Sequence, residues 1–370
     1  MNFDFSADEK LVKDQVSRFL KGTCDSKVLR RVVEGPAPYA SAVWDGLVSM
    51  GLTGTAIPEI YGGVGAGYPS LCLVAEQLGA HLAPTPFSSS VYLATEAIML
   101  VGTEAQKEHW LPKLATGEVT GTMAVVERIA QTTEASISVK FSGGNLTGKK
   151  LIVADGGTAD FAVVLARDVS GDTALYITDL KQGSVSQVEV ATIDPSRNST
   201  SIVFNETPAT LLGEAHDGWA RLQQVYDRAA ILFAFEQLGG AQSALDMAVN
   251  YAKQRFAFGR PIGSFQGLKH MMADMYVALK LAESNCYYAA WALSTNADDL
   301  PLAAATARVS ATQAFQLCAR DNIQVHGGMG FTWEFDCHLY YRRSNYLTLQ
   351  LGGLSEWEGK LVDSLPKAVA

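Results

Sequence analysis

The spacing of apolar residues changes twice along this chain of 370 residues. Up to about residue 118 it follows the period of an α-helix and predicts helices over 6–20, 40–50, 70–82 and 91–101. From about 118 to 212 the period is two, which indicates short β-strands. After residue 218 the helical period returns, over about 221–255, 266–292, 300–326 and 336–350. The pattern therefore predicts a β domain inserted between two helical parts of one continuous architecture.

Local cap and turn signals agree with these elements. Ser6 and Glu9 form the capping-box pattern that opens an amphipathic helix. Residues 51–70 are rich in Gly and Pro, as expected of a loop that turns a corner or approaches a ligand. In the middle region, Gly, Asn and Asp turns separate six predicted strands of a small antiparallel domain: 136–141, 151–154, 161–166, 174–178, 188–192 and 201–204.

Composition restricts the class of protein. A hydrophobic content of 48% with 18% charged residues is typical of a soluble globular protein. The net charge of −9, without a run of Lys and Arg, argues against nucleic-acid binding. Five scattered cysteines without CxxC spacing indicate reduced thiols, and hence a cytoplasmic protein. Neither a signal peptide nor a membrane-spanning apolar run is predicted.

The segment QRFAFGRPIGSFQ, residues 254–266, closes the long helix that begins near residue 221. A Gly/Pro break after an Arg predicts an exposed corner before the next helix. The planar, permanently charged guanidinium of Arg255 is suited to a phosphate. The alternative for the corner considered alone is a surface Arg beside a turn.

Four phrases in this order resemble the acyl-CoA dehydrogenase family over nearly the whole chain. They are GLxGxxIPExYGGxG from Gly51, GTExQKExWLPKL from Gly102, RFAFGxxIxxxQ from Arg255 and QVHGGMGFT from Gln324. The resemblance implies an α+β multi-domain fold, assembled as tetramers. It would comprise an N-terminal α-helical domain at 1–118, a middle antiparallel β-barrel at 119–213 and a C-terminal four-helix bundle at 214–370.

The resemblance also implies a reaction. Family members bind FAD and move a hydride from the β-carbon of an acyl-CoA to the flavin while a carboxylate removes the α-proton. The electrons then pass to an electron-transfer flavoprotein. The sequence around 234–242 and 251–270 is similar to that of bacterial family members that degrade sterol side chains. Many of those members are α₂β₂ heterotetramers.

The matching positions imply an edge of the FAD site. By resemblance, Arg255 reaches the FAD pyrophosphate across a subunit interface, and Phe258 and Gln266 are flavin-side contacts. Gln324, Gly327 and Gly328 match the segment along the ADP half. Arg makes charge-assisted bonds to phosphate oxygens, and paired glycines let backbone N–H groups approach a diphosphate. The alternative for the glycines is a plain helix C-cap and turn.

His326 lies inside this glycine segment. The six histidines show no metal-ligand spacing, and neither HExxH nor CxxC occurs, so no metal site is predicted. We expect His326 to have a structural or cofactor-side role.

The residues that would face the flavin ring differ from those of the family. The family's phrase TEPxAGSD, which holds the flavin ring and the substrate carbonyl, corresponds here to TMAVVERIAQTT at 122–133. Only Glu127 matches it. Ile152 and Ala154 stand where the family has a Trp and a Thr that pack on the ring. The sequence therefore predicts that this half of the site is degraded.

The residues at the family's catalytic-base positions differ from those of the family as well. The usual Glu position is Leu351, and the position used by a minority of the family is Ala229. Glu236 lies on the same helix face as Ala229, about 10 Å further along the axis. Within its apolar surroundings Glu236 is the candidate acid, and the alternative is a carboxylate bonded to a neighbouring helix or Arg. Glu356 and Glu358 are expected to be solvated charges in a polar tail.

These observations predict a catalytically incomplete subunit of a heteromeric FAD-dependent acyl-CoA dehydrogenase acting on a bulky or sterol-derived acyl-CoA. A related subunit would supply the flavin-ring site and the base. One alternative is a self-sufficient homotetramer with a displaced base. Another is a non-redox assembly subunit without flavin. A third, which nothing in the sequence favours, is a flavin monooxygenase or a relative of nitroalkane oxidase on the same fold.

Overall fold

The computed structural model of the protein describes residues 4–129, 131–214 and 217–365. The α-helices are α1 Ala7–Thr23, α2 Ser26–Glu34, α3 Ser41–Ser49, α4 Gly67–Ala80, α5 Glu96–Val101, α6 Glu104–Ala115, α7 Gly218–Gln254, α8 Gln266–Thr295, α9 Leu300–His326, α10 Cys337–Thr348 and α11 Leu354–Ser364. The strands are β1 Gly121–Ala124, β2 Lys140–Ser142, β3 Asn145–Ala154, β4 Phe161–Arg167, β5 Thr173–Asp179, β6 Val185–Glu189, β7 Ser199–Pro208, β8 Thr210–Leu211, β9 Phe256–Ala257 and β10 Arg260–Pro261.

The chain divides into two compact units. The helical unit consists of Met1–Leu29, Cys72–Ala83 and Ala230–Ala370, and the β unit consists of Arg30–Leu71 and Pro84–Ala229. In the helical unit α9 packs against α8, α10 and α11. Four predicted helices after residue 218 are confirmed as α7 to α10. The helical, β, helical order of the predicted fold is confirmed.

Within the helical unit, α4 and α7 cross at glycines. A Cβ atom added to Gly79 would lie 1.8 Å from the carbonyl oxygen of Glu236, and one added to Gly239 would lie 1.8 Å from that of Glu76. No side chain fits at such distances, so the two backbones are in direct contact. This crossing fixes the position of the α7 segment that carries Glu236.

The β unit contains one sheet of eight described strands. Its order is β6-β7-β3-β2-β4-β5-β8, and β1 pairs with β4. Most neighbours are antiparallel, as predicted, but β1 and β2 both run parallel to β4, with Gly121 opposite Phe161 and Lys140 opposite Arg167. All four residues of β1 are buried, but the short segment GTMA has neither an apolar run nor an alternation by which the sequence could reveal it. The core includes Val164, Tyr176 and Phe204.

Several local predictions need correction. The predicted helix at 91–101 is a π-helix, Ser88–Thr95, followed by α5. The predicted strand at 136–141 begins at the last residue of a 3₁₀ turn, and only its end is paired in a strand, as part of β2. The segment with Glu356 and Glu358 is helix α11 and not a polar tail, because Trp357 is buried and anchors it. Neither α2 nor α6 is predicted by the apolar pattern.

Other expectations are confirmed. The Ser6–Glu9 capping box is present: the Ser6 N–H donates to the Glu9 carboxylate over 2.6 Å. All five cysteines are buried and unpaired. Every helix in the three described ranges is too short or too polar to cross a bilayer.

Candidate functional site

The predicted corner after α7 is an exposed hairpin. The Arg255 N–H still donates to the carbonyl of Tyr251 over 2.8 Å, and β9 then turns back through β10. Phe258 has a left-handed φ of 53° and is 95% exposed. The side chain of Arg255 is exposed as well. An exposed cation on a tight hairpin is available to an anionic ligand, and a left-handed aromatic residue is a strained feature of the kind found at binding sites.

The glycine segment after α9 is equally open. Gln324, Gly327 and Gly328 are exposed, and a Cβ atom added to either glycine would have no heavy atom within 4 Å. Gly327 has φ 58° and ends the helix. Gln266 is exposed at the start of α8. All six predicted cofactor residues therefore lie on exposed parts of the helical unit.

His326 connects α7, the helix before the hairpin, to the glycine segment. Its ring stacks on that of Tyr251 with centroids 4.0 Å apart, and its Nδ1 lies 2.8 Å from the carbonyl oxygen of Asn322. Burial lowers the pKa of His326, which favours the neutral ring. Because Tyr251 is one helical turn before Arg255, the stacked pair places the end of α7 beside the end of α9.

Glu236 lies in the interior of the helical unit, where it is 2% exposed. Its Oε1 is 3.7 Å from Nη1 of Arg343, a buried residue of α10. Arg343 also donates to the carbonyl of Leu82 over 3.2 Å. A buried carboxylate beside a buried guanidinium is the arrangement expected of a structural ion pair. This placement favours the structural alternative for Glu236, whose role as the base stays a prediction.

Leu351, at the usual base position, belongs to an apolar cluster. It packs against Ala230, Ala305, Val309 and Trp357, and its carbonyl accepts from Trp357 Nε1 over 3.2 Å. Its φ of 64° is left-handed. A leucine packed in this way has no group that accepts a proton.

A buried guanidinium holds the turn that carries Leu351. Arg308 donates to the carbonyls of Leu347 and, over 2.7 Å, of Gln350. It also donates to Gln237 over 2.9 Å, and Gln237 donates to Thr312 over 3.0 Å. Burial lowers the pKa of Arg308, and the Glu236 charge opposes this shift. The turn is therefore built by the fold even though the carboxylate is missing.

A second buried carboxylate, missed by the sequence analysis, lies in the β unit. Glu96 is 1% exposed and accepts from Tyr68 OH over 2.9 Å and from Arg228 Nε. Arg228 directly precedes Ala229, which is fully buried. Burial alone would lower the pKa of Arg228, but the Glu96 carboxylate raises it. The signal available in the sequence was a Glu inside an apolar run, the same signal that identified Glu236.

The segment that would face the flavin ring is tied to β3. Lys150, which has no exposed surface, donates to Glu127 over 2.6 Å and to the carbonyl of Val125 over 3.1 Å. Glu127 also accepts from the N–H groups of Ser138 and Val139. Burial lowers the pKa of Lys150 to about 8, against the opposing effect of Glu127. Glu127 therefore forms a structural ion pair with Lys150.

Beside this pair, β3 carries two aliphatic residues at the predicted ring positions. Ile152 sits at a register shift of the β3–β7 pairing, with φ 50°, and is partly exposed. The carbonyl of Ala154 accepts from Thr122 Oγ1 over 2.6 Å. Neither side chain can hydrogen-bond to a cofactor.

The described residues fit one half of a flavin dinucleotide. An exposed Arg, an exposed Gln and two open glycines suit a diphosphate and its sugar. The other half is not matched, because Ile152 and Ala154 are aliphatic and Glu127 is committed to Lys150. The residues that match the two halves of the family's cofactor site thus differ in chemistry within this chain.

Two protein-family models match this chain. Residues 6–118 match the acyl-CoA dehydrogenase N-terminal domain, and residues 216–362 match the acyl-CoA dehydrogenase C-terminal domain. The matched ranges account for most of the two helical parts of the sequence.

Individual proteins match along nearly their full length. The chain is 30% identical over 348 residues to the acyl-CoA dehydrogenase IpdE2 of Mycolicibacterium smegmatis, covering 94% of this chain and 95% of that protein. The solved butyryl-CoA dehydrogenase from Megasphaera elsdenii is 25% identical, with a TM-score of 0.91 and coverage of 98% and 99%. A solved variant of the Tcur3481-Tcur3483 steroid ACAD is 27% identical, with a TM-score of 0.87 and coverage of 96% and 97%.

Proposed function

Because the chain belongs to the acyl-CoA dehydrogenase family, whose members are oxidoreductases acting on CH–CH bonds, we propose that it is a catalytically incomplete subunit of a heteromeric, FAD-dependent acyl-CoA dehydrogenase. One observation carries the proposal. Leu351 and Ala229 leave both base positions without a carboxylate, whereas the six cofactor-edge residues are all exposed. The proposed division into 1–118, 119–213 and 214–370 follows the family architecture.

This chain would contribute the residues that line one edge of the dinucleotide site. Arg255 would make charge-assisted bonds to the pyrophosphate, and Gln324, Gly327 and Gly328 would lie along the ADP half. Phe258 and Gln266 would contact the flavin side. Bound FAD would accept a hydride from the β-carbon of the acyl-CoA. The related partner subunit would hold the flavin ring in its own β domain and supply the base.

Similarity to a solved structure supports the proposed substrate class. The Tcur3481-Tcur3483 structure, 27% identical to this chain, is that of a steroid ACAD. This supports a bulky, sterol-derived acyl-CoA, desaturated between Cα and Cβ in the cytoplasm. The electrons would pass to an electron-transfer flavoprotein.

Expression of the chain alone, and together with a candidate related subunit sought first in an adjacent gene, tests the proposal. The measurements are FAD absorbance per protein after gel filtration and acyl-CoA-dependent turnover with an artificial electron acceptor. We expect the complex to be yellow and active, and the chain alone to be inactive. The partner alone is the control for activity that does not need this chain.

Two other outcomes contradict the proposal in different ways. A colourless complex would identify a non-redox assembly subunit. Flavin reduction by acyl-CoA with the chain alone would identify a self-sufficient homotetramer, and Glu236 and Glu96 would then be the carboxylates to replace first.

A further inference from the structure

The loop 327–334 is held at its base by three aromatic rings. The ring of His326 lies 5.7 Å from that of Phe335, and Tyr251 contacts both. Inside the loop, Thr332 donates to the carbonyl of Met329 through its N–H over 3.1 Å and through its hydroxyl over 2.8 Å. The loop is therefore a fixed structure, anchored to the same Tyr251 that precedes Arg255 by one turn.

Trp333 is the aromatic residue that this loop presents in a fixed orientation. Its ring stacks on His338 with centroids 4.5 Å apart and an interplanar angle of 22°. The guanidinium of Arg342 lies 5.7 Å from the ring centroid. The residue is nevertheless 44% exposed. A large apolar ring that is held rigidly and still exposed is suited to stacking, since little conformational entropy is lost when a flat ligand binds.

We propose that Trp333 stacks on the adenine ring of the bound dinucleotide. The inference rests on the proposed function, in which the ADP half lies along Gln324, Gly327 and Gly328. Trp333 is five residues beyond Gly328 on the same anchored loop. Purine rings stack on aromatic side chains, and the guanidinium of Arg342, 5.7 Å from the ring centroid, adds a positive charge beside the stacking position. Trp333 is thus a binding residue for the base, while Arg255 binds the diphosphate.

The test uses the co-purified complex, freed of FAD, with Trp333→Ala, Trp333→Phe and the matched control Phe331→Ala. Phe331 lies on the same loop and is 78% exposed. Binding of FAD, AMP and ribose 5-phosphate is measured by calorimetry and by quenching of tryptophan fluorescence. We expect Trp333→Ala to weaken FAD and AMP binding by about 5- to 150-fold, the range that one stacked base contributes.

The other expected results separate stacking from loss of structure. Trp333→Phe should bind within a few-fold of wild type, because a phenyl ring also stacks. Ribose 5-phosphate, which has no base, should bind equally to wild type and Trp333→Ala. Phe331→Ala should leave AMP binding unchanged.

Three outcomes would overturn the assignment: unchanged FAD and AMP binding in Trp333→Ala, an equal loss for ribose 5-phosphate, or a loss confined to Phe331→Ala. A complex whose wild type binds AMP through Trp333 but never binds FAD would instead contradict the proposed function. The two failures are therefore distinguishable.

Discussion

Charged residues are exposed to solvent at the edge of the helical unit, whereas those in its interior are buried and bonded to other protein groups. At the edge, Arg255 stands on a hairpin in solvent, and the glycines at 327 and 328 have open space around them. In the interior, Glu236 is buried beside Arg343, and Arg308 is bonded to backbone carbonyls. A charge needs water, a ligand or a partner. The edge leaves its charge for a ligand, whereas the interior has already supplied partners.

This contrast separates binding from catalysis. A residue that binds a soluble cofactor must be reachable, and the edge residues are. A general base must be able to accept the substrate proton, and the buried carboxylates Glu236 and Glu96 are each paired with a guanidinium group. The chain therefore has the features of a cofactor-binding subunit more clearly than those of a catalytic one.

The largest predicted change is in the free energy of unfolding, at the close backbone contact between α4 and α7. Gly79→Ala should lower the free energy of unfolding by about 3 kcal/mol or more, since its Cβ would lie 1.8 Å from a backbone oxygen of α7 that has no room to move. Gly359→Ala in α11 is the control, because nothing lies within 4 Å of its Cβ. The Gly359→Ala variant should be more stable than wild type by about 0.5–1 kcal/mol, because Ala favours a helix more than Gly does. Urea unfolding of both variants measures this, and equal stabilities would contradict the close crossing.

Arg255→Ala tests the edge. The variant complex should lose about 1.5–3 kcal/mol of FAD binding, the value of a hydrogen bond to a charged group, while its unfolding transition stays unchanged. FAD content after gel filtration and calorimetric titration measure it. Arg221→Ala, at the other end of α7, is the control for removal of an Arg. Equal FAD occupancy in wild type and Arg255→Ala would remove the phosphate contact from the proposal.

Glu236→Gln tests whether the interior carboxylate is structural. Gln keeps the shape of the side chain but cannot take a proton. Arg343 would lose its nearby negative charge but would keep the Gln oxygen and the Leu82 carbonyl as acceptors, so the variant should be destabilised by only about 1–2 kcal/mol. Turnover of the complex should stay within a few-fold, with FAD retained. A fall in turnover of about 10²-fold with FAD still bound would make Glu236 the base.

The smallest effect concerns the buried Lys150 of the β unit. Its pKa is lowered by burial to about 8 in the folded protein, against 10.5 for the unfolded chain. Between these values the unfolded state holds more protons, so this group makes the protein more stable as pH rises above 8. The gain is about 1 kcal/mol between pH 8 and 9.

Unfolding measured at pH 7, 8 and 9 should therefore show this rise in wild type and its loss in Lys150→Met. Lys149→Met, at the neighbouring exposed position, should keep the slope of wild type. A slope that survives in Lys150→Met would assign the titration to another group.

Much of the fold could be predicted from local patterns. The four helices predicted after residue 218 follow from apolar spacing, and the strands β4 and β5 follow from short runs rich in apolar residues. Both signals depend only on neighbours along the chain. The π-helix Ser88–Thr95 could not be predicted in this way, because all eight of its residues are buried and no polar face marks its period. Strand β1 was missed because its four residues, GTMA, form neither an apolar run nor an alternating pattern.

The sequence by itself determined the family, the order of the elements and the exposed edge, because glycines, capping residues and an Arg at a helix end act locally. Only the tertiary structure decided what the buried charges do. Glu236 with Arg343, Glu96 with Arg228, and Lys150 with Glu127 are joined by folding across 107, 132 and 23 positions. A charge in an apolar run shows that a partner must exist, since an isolated buried charge costs several kcal/mol, but the partner's identity is a property of the packed chain.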